Sequence, residues 1–262
     1  MSKATYVFGQ NADDAERERL SHFAAFLDAY TARRLDHVGI APGWRCLEIG
    51  AGQGSVATML ADRVGPSGSV FATDIDLRFL TGLPGNVEVR RHDIETDELG
   101  ETLYDFIHCR AVLMWLREPE KALQRMFSAL KPGGRLLAEE LDWGFCDFGG
   151  HPDAVWATNY MHKLFKRHEA AGIRHPYFGR TLPAHAASAG FVNHEGDLAA
   201  PISAEGNSAL EVIRLTVRAL RAPSISLGES AADLDRLDAI LANPQIIAVG
   251  ITSVGVEGWK RE

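Results

Sequence analysis

Three glycines within five residues, Gly50, Gly52 and Gly54, lie between a short apolar run, Arg45–Ile49, and an amphipathic one, Ser55–Val64. Glycine is the residue that takes up positive φ without penalty and lets backbone approach a neighbour closely. The arrangement therefore reads as strand, tight turn, helix. The same alternation continues along the chain. Ser69–Thr73, Val87–Arg90 and Tyr104–Cys109 read as strands. Pro119 opens a helix carrying Ala122, Leu123, Met126, Phe127 and Leu130 on one stripe. Lys131-Pro-Gly-Gly134 stops it, and Arg135–Leu141 is a fifth strand. Repeated β-α-β units imply a parallel sheet with helices on both faces, whose ligands sit beyond the carboxyl ends of the strands. Ahead of this pattern, Asp13–Val38 reads as a helix, with Leu20, Phe23, Ala24, Leu27 and Leu35 near a 3.6-residue period.

Bulk properties narrow the partners. The net charge of −8 disfavours a broad nucleic-acid surface, because phosphate binding needs clustered Lys and Arg. The three cysteines, Cys46, Cys109 and Cys146, match no zinc spacing and suit a reducing cytoplasm as buried thiols. Met1–Gln10 has no apolar core of a signal peptide. The longest uncharged stretch, Ala239–Val256, is broken by Asn243, Pro244 and Gln245, so no membrane span is expected.

The glycine run has the form Glu48-Ile-Gly50-Ala-Gly52-Gln-Gly54. A dinucleotide fingerprint places its last glycine three positions after the second. Here it comes two positions after, with Ser55 in the expected place. Glu48 would repel a pyrophosphate but suits the cationic end of S-adenosylmethionine, which is favoured over a nicotinamide cofactor. Asp74, closing the second strand, can accept from both ribose hydroxyls; a helix-capping role is its alternative. Ile75 follows and can pack on the adenine. Asp93, after the third strand, can accept from the adenine amino group while the Ile94 N–H donates to the ring. An Asx-turn is the competing reading of Asp93.

Cys46–Ala57, Asp74, His92-Asp-Ile94, Tyr104–Leu116 and Leu130-Lys-Pro-Gly-Gly-Arg135 resemble the successive motifs of class I S-adenosylmethionine-dependent methyltransferases. Asp105–Leu113 and Glu118–Leu123 are especially similar to the small-molecule branch. The resemblance implies an α/β fold, a doubly wound, seven-stranded, mostly parallel Rossmann-like sheet with its last strand antiparallel and supplied by Gln245–Trp259. It implies a cofactor-binding core over residues 41–143, a helical cap over 1–40, a substrate-side insertion over 144–200, and C-terminal helices and strands over 201–262 completing the same domain. It places Tyr6, Glu48, Gly50, Ala51, Gly52, Gly54, Asp74, Ile75, Asp93, Ile94 and Arg110 at the cofactor, with Tyr6 and Phe8 closing over the methyl group. One departure stands out: only Leu77–Gly85 separates the second and third strands, so the helix usual there is cut down.

The reaction expected is direct, metal-independent transfer of a methyl group to an O or N atom of a small aromatic metabolite, with S-adenosylhomocysteine as product. No Asp/Asn metal ligands follow the fourth strand, and the Asn/Asp-Pro-Pro-aromatic motif of amino-directed DNA methyltransferases is missing. Trp143 and Tyr177, beside a strand end and a loop, are acceptor-pocket candidates, joined by Phe8, Trp115 and Arg180. Trp156, Tyr160 and Leu164 read instead as the buried stripe of a helix. His175, then Glu140, are the candidates for general base, with no dedicated base as a third reading. A cytoplasmic protein, possible homodimerisation through Glu229–Leu241 and a role in secondary metabolism complete the expectation. The competing functions are a non-catalytic S-adenosylmethionine-binding module and a nicotinamide-dependent oxidoreductase.

Overall fold

A computed structural model describes residues 7–10, 12–200, 202–203 and 207–262 of the chain. The expected opening helix is present as α1 (Asp13–Val38). It is followed by β1 (Arg45–Ile49), α2 (Ser55–Val64), β2 (Ser69–Asp74), β3 (Val87–Arg91) and β4 (Tyr104–Arg110). Next come α3 (Pro119–Ala129), β5 (Leu130–Asp142), β6 (Asp147–Gly149), α4 (Ala154–Ala170), α5 (Phe178–Ser188), β7 (Val192–Ala199) and β8 (Ile202–Ser203). The chain continues with α6 (Ser208–Ala219), α7 (Arg221–Ser226), α8 (Ala231–Leu241), β9 (Ile247–Val249) and β10 (Thr252–Trp259). None of the helices among the described residues is long and apolar enough to cross a membrane.

The chain divides into two compact units. One holds Leu27–Asp142, Arg174–Ala199 and Thr252–Glu262. It contains the seven-stranded sheet, ordered β3-β2-β1-β4-β5-β10-β7. β2, β1, β4 and β5 pair in parallel, and β10 runs antiparallel to both β5 and β7. Alternation along the strands sorts the side chains. Cys46, Val70, Ala72, Phe106 and Leu137 meet Leu35, Val38, Val56, Leu60 and Val64 in one apolar cluster, so α2 and the second half of α1 cover this face. Gly54, at φ +83°, turns the chain from β1 into α2, and its carbonyl accepts the Thr58 N–H at 2.9 Å.

The other unit holds the described residues up to Phe26, Trp143–Ile173 and Ala200–Ile251. Its β6, β9 and β8 form a small antiparallel sheet, and its helices include α4, α6, α7 and α8. Tyr160 and Leu164 are buried and Trp156 stacks on Tyr160 at 5.0 Å, as a helix stripe should.

These units cut across the segments expected from the sequence. The unit boundary falls within α1, between Phe26 and Leu27, and Arg174–Ala199, with α5 and β7, belongs to the sheet unit and not with the rest of residues 144–200. Residues 200–251 belong to the smaller unit, and only the segment from Thr252 completes the sheet domain. Non-local pairing decides this: Ile247–Val249 pairs with β6 and β8, and Gly250, at φ +86°, turns the chain before β10 begins. The last strand is therefore shorter than Gln245–Trp259. Residues 75–86 contain no helix at all. Phe79 and Leu80 are buried there, and the Asn86 amide donates to the Ala61 and Gly65 carbonyls at the end of α2, tying the short connection down.

Candidate cofactor and active site

The glycine turn lies at the carboxyl end of β1, between the ends of β2 and β4. Gly50, Gly52 and Gly54 all have positive φ, at +71°, +57° and +83°. The N–H groups of Gly50 and Ala51 both donate to the Thr73 carbonyl, at 2.8 and 3.0 Å. The Gly52 N–H donates to Asp74 Oδ2 at 2.9 Å, and Asp76 N–H donates to Oδ1 at 2.9 Å. A Cβ on Gly50 would overlap Val112 Cγ2, and one on Gly54 would crowd Leu83 and Leu80. The glycines at 50 and 54 are thus required by the packing of the turn itself. Burial raises the Asp74 carboxyl above its usual range, while its backbone donors pull the other way. Ile75 follows Asp74 and is only partly buried.

Asp93 makes an Asx-turn through one oxygen: its Oδ1 accepts the Glu95 N–H at 3.0 Å, a bond that does not engage Oδ2. Ile94 beside it is buried, and its carbonyl accepts from Arg125. Between Asp74 and Asp93, both ring nitrogens of His92 are buried without a hydrogen-bond partner, while its N–H donates to the Asp74 carbonyl. The donor set fits a nucleoside: a carboxylate at the end of β2, a second at the end of β3, and unpartnered ring nitrogens between them.

A charged array lies under the turn. Glu48 is 2% exposed and its Oε2 meets His108 Nδ1 at 2.7 Å. His108 Nε2 meets Glu139 Oε2 at 2.7 Å. Glu139 also accepts from Thr31 and Arg34 of α1. Arg34 occupies the space above Gly255, where a Cβ would collide with its guanidinium. Arg110 donates to Thr31 Oγ1 at 2.7 Å and to Asp28 Oδ1 at 2.9 Å, and Ser55 Oγ donates to the same Asp28 oxygen. Burial opposes a charge on His108, but the two flanking carboxylates outweigh it and hold its pKa above the ordinary imidazole range. Burial likewise opposes charge on Glu139, yet the His108 hydrogen bond and the charges of His108, Arg110 and Arg34 hold it below the carboxylate range.

The other face of β4 and β5 carries Glu140. Its Oε1 accepts the N–H groups of Val112 and Leu113, at 3.0 and 2.7 Å, and its Oε2 is buried with no partner. Burial raises this carboxyl to about 8. The turn it holds contains Ala111, whose φ of +53° is a strained value for a residue with a side chain. His175 grips the same segment: its N–H donates to the Met114 carbonyl at 2.7 Å, and Nε2 lies 3.1 Å from the Leu116 carbonyl.

A profile of the family described as methyltransferase domain matches residues 15–195. The chain belongs to the methyltransferase-domain family. A curated methyltransferase, str2 of Strobilurus tenacellus, is 31% identical over 173 residues, which is 65% of this chain and 62% of that protein. A ubiquinone/menaquinone biosynthesis C-methyltransferase of Vibrio vulnificus is 33% identical over 115 residues, 40% of this chain and 44% of its own length. The chain spans less than two thirds of the length of these curated relatives. Among solved structures, a Haemonchus contortus phosphoethanolamine N-methyltransferase in complex with S-adenosylhomocysteine superposes with a TM-score of 0.53 at 15% identity, covering 98% of this chain and 56% of that one. The fold is the class I methyltransferase fold.

In this methyltransferase-domain chain the expected residues part into groups. Glu48, the three glycines, Ala51, Asp74 and Arg110 gather at the carboxyl ends of β1, β2 and β4 in the sheet unit. Trp115, His175, Tyr177 and Arg180 belong to the same unit. Arg174 lies over the Trp115 ring at 5.7 Å, and Arg180 lies over Tyr177 at 5.2 Å. Arg180 is held by Asp142 through two hydrogen bonds of 2.6 and 2.7 Å. Phe8 and Trp143 belong to the other unit. Phe8 is 1% exposed beneath the Arg19 guanidinium, and Trp143 is 2% exposed with its ring edge-on to Phe165, so neither presents a face to solvent. Tyr6 lies outside the described residues. Sequence reasoning missed His108, Glu139, Arg34 and Asp28 as parts of one array. The available signal was three ionisable residues, Glu48, His108 and Glu139, each preceded by apolar residues within a strand.

Proposed function

We propose that the protein transfers a methyl group from S-adenosylmethionine to an O or N atom of a small, aromatic acceptor. The observation that carries this reading is the Asp74 carboxylate bonded across the glycine turn to the Gly52 N–H. That bond leaves each carboxylate oxygen a further lone pair for a ribose hydroxyl. Asp93, Ile94 and the His92 ring, whose nitrogens are buried, would hold the adenine, and Glu48 and Arg110 the amino-acid end. The cofactor supplies a methyl carbon already activated by its sulfonium.

What remains for the protein is alignment, exclusion of water and, for a protonated nucleophile, removal of a proton. The strained Ala111 turn, clamped by Glu140 and His175, would give the site a rigid wall at the end of β4. Trp115 and Tyr177 supply flat surfaces for an aromatic acceptor, with Arg180 behind them. The Leu116 carbonyl selects the His175 tautomer that carries its proton on Nε2, which leaves Nδ1 with the lone pair of a base. Glu140 then supports the turn and does not meet the acceptor. The str2 relative is named only as a methyltransferase, whereas the Vibrio relative is named as a C-methyltransferase, so carbon acceptors belong in the test.

Calorimetry with S-adenosylhomocysteine and NAD, followed by radiolabelled methyl transfer to a panel of phenols, amines and quinols, tests the reading. Binding of the first ligand alone and label in a phenol or amine support it. Binding without transfer to any acceptor would favour a non-catalytic cofactor-binding module. Label only in carbon would overturn the O/N assignment.

A further inference from the structure

The family reading assigns no task to His108. It is a fully buried imidazole in the middle of β4, and both of its nitrogens are engaged by carboxylates from the neighbouring strands: Glu48 on β1 and Glu139 on β5, each at 2.7 Å. A buried imidazole in a sheet is an expensive choice if only packing is wanted, because apolar residues of similar volume fill such a place without desolvation. The array also has a direction. Glu139 is engaged on both oxygens, Oε2 accepting from Thr31 and meeting His108 and Oε1 accepting from Arg34. Glu48 is not: Oε2 meets His108, and Oε1 takes no hydrogen bond from any described residue. Glu48 stands two residues before Gly50, at the start of the cofactor turn.

We propose that His108 is a positioning residue for the cofactor: anchored on Glu139, it holds the Glu48 carboxyl by one oxygen so that the other receives the ammonium group of S-adenosylmethionine. This rests on the cofactor reading above. The groups facing His108 are Glu48 from β1, Glu139 from β5, and, one step behind them, Arg34 from α1 and Arg110 from β4. Burial alone would favour a neutral Glu48 and a neutral His108, but the charged form of the ring lets it bind both carboxylates at once, since both of its nitrogens are then donors. Loss of the ring frees the Glu48 carboxyl to rotate, and a charge-assisted contact to the ammonium is lost with it.

The test compares two probes, S-adenosylhomocysteine, which carries the amino acid, and methylthioadenosine, which lacks it. Calorimetry on the full chain is run for wild type, His108→Gln and Glu48→Gln. The expected result is a loss of about tenfold or more in affinity for S-adenosylhomocysteine in both variants, the size of one charge-assisted hydrogen bond, with methylthioadenosine unchanged. Equal losses for both probes, or none for either, in a folded His108→Gln protein overturns the proposal. Should that variant fail to fold, nitrogen-15 spectra of the wild-type His108 ring decide. A doubly protonated ring at neutral pH that shifts on adding S-adenosylhomocysteine but not methylthioadenosine supports it. A neutral ring, or one blind to both ligands, overturns it. Wild-type protein that binds neither probe refutes the cofactor reading itself, a failure separate from this one.

Discussion

Replacing Glu140 with glutamine should stabilise the protein at neutral pH. The carboxyl is 1% exposed, its Oε2 has no partner, and burial lifts it from the ordinary 4.5 to about 8. Between those values the folded chain keeps a proton that the unfolded chain has released. Stability contributed by this group therefore falls as the pH rises through that window and levels off above about 8. Each pH step costs about 1.4 kcal/mol, so at pH 7 the ionisable group costs the fold on the order of 3 kcal/mol. Glutamine keeps an oxygen for the Val112 and Leu113 N–H groups and carries no ionisation. For a chain of this length the gain corresponds to ~6–12 °C in Tm at pH 7. Thermal melts of both proteins between pH 4.5 and 8.5 measure it. The curves should meet at the acid end and separate as the pH rises. Parallel curves, or a variant less stable at pH 8, would show that the Glu140 environment stabilises the carboxylate and that the reasoning from burial is mistaken.

Asp74→Ala should weaken S-adenosylhomocysteine binding by roughly 10–100-fold, since it removes a charged acceptor of ribose hydroxyls; calorimetry reads it, and unchanged affinity would remove Asp74 from the site. Gly50→Ala should destabilise by about 1–3 kcal/mol, because its φ is +71° and the new methyl overlaps Val112. Adding Val112→Ala should restore only the steric part, and denaturant titration of the pair separates the two. Gly255→Ala pushes the Arg34 guanidinium out of the space it fills over β10, so it should destabilise by about 2 kcal/mol and leave Glu139 short of a donor. Glu139, held below the carboxylate range, contributes stability above the ordinary 4.5 that is lost as the pH falls toward its folded value. Glu139→Gln should therefore lose that acid limb in a pH series of melts.

Much of the sheet was legible along the chain. Runs such as Arg45–Ile49 and Ser55–Val64 carry their own periodicity and stop signals, and both appear with the expected ends. The glycine turn was legible for the same local reason: positive φ at Gly50 and Gly54 leaves few other residues possible. The connection after β2 was legible as too short for its usual helix because length alone limits it. In contrast, nothing in Ala200–Ile251 announces that it leaves the sheet domain, since a strand of three residues such as Ile247–Val249 is specified by its partners. The Asx-turn of Asp93 and the burial of Phe8 and Trp143 were undecidable for a related reason: each side chain had two acceptable surroundings.

The amino-acid order determined which segments become strands, turns and helices in the sheet, because those choices rest on neighbours within a few positions. It determined the presence of an acidic residue ahead of the glycines and another at the end of the second strand. Only the tertiary structure decided that Glu48, His108 and Glu139, separated by 60 and 31 positions, share one row of hydrogen bonds. The physical reason is register. Parallel pairing sets Glu48 opposite His108, and that alignment depends on how whole strands slide against one another.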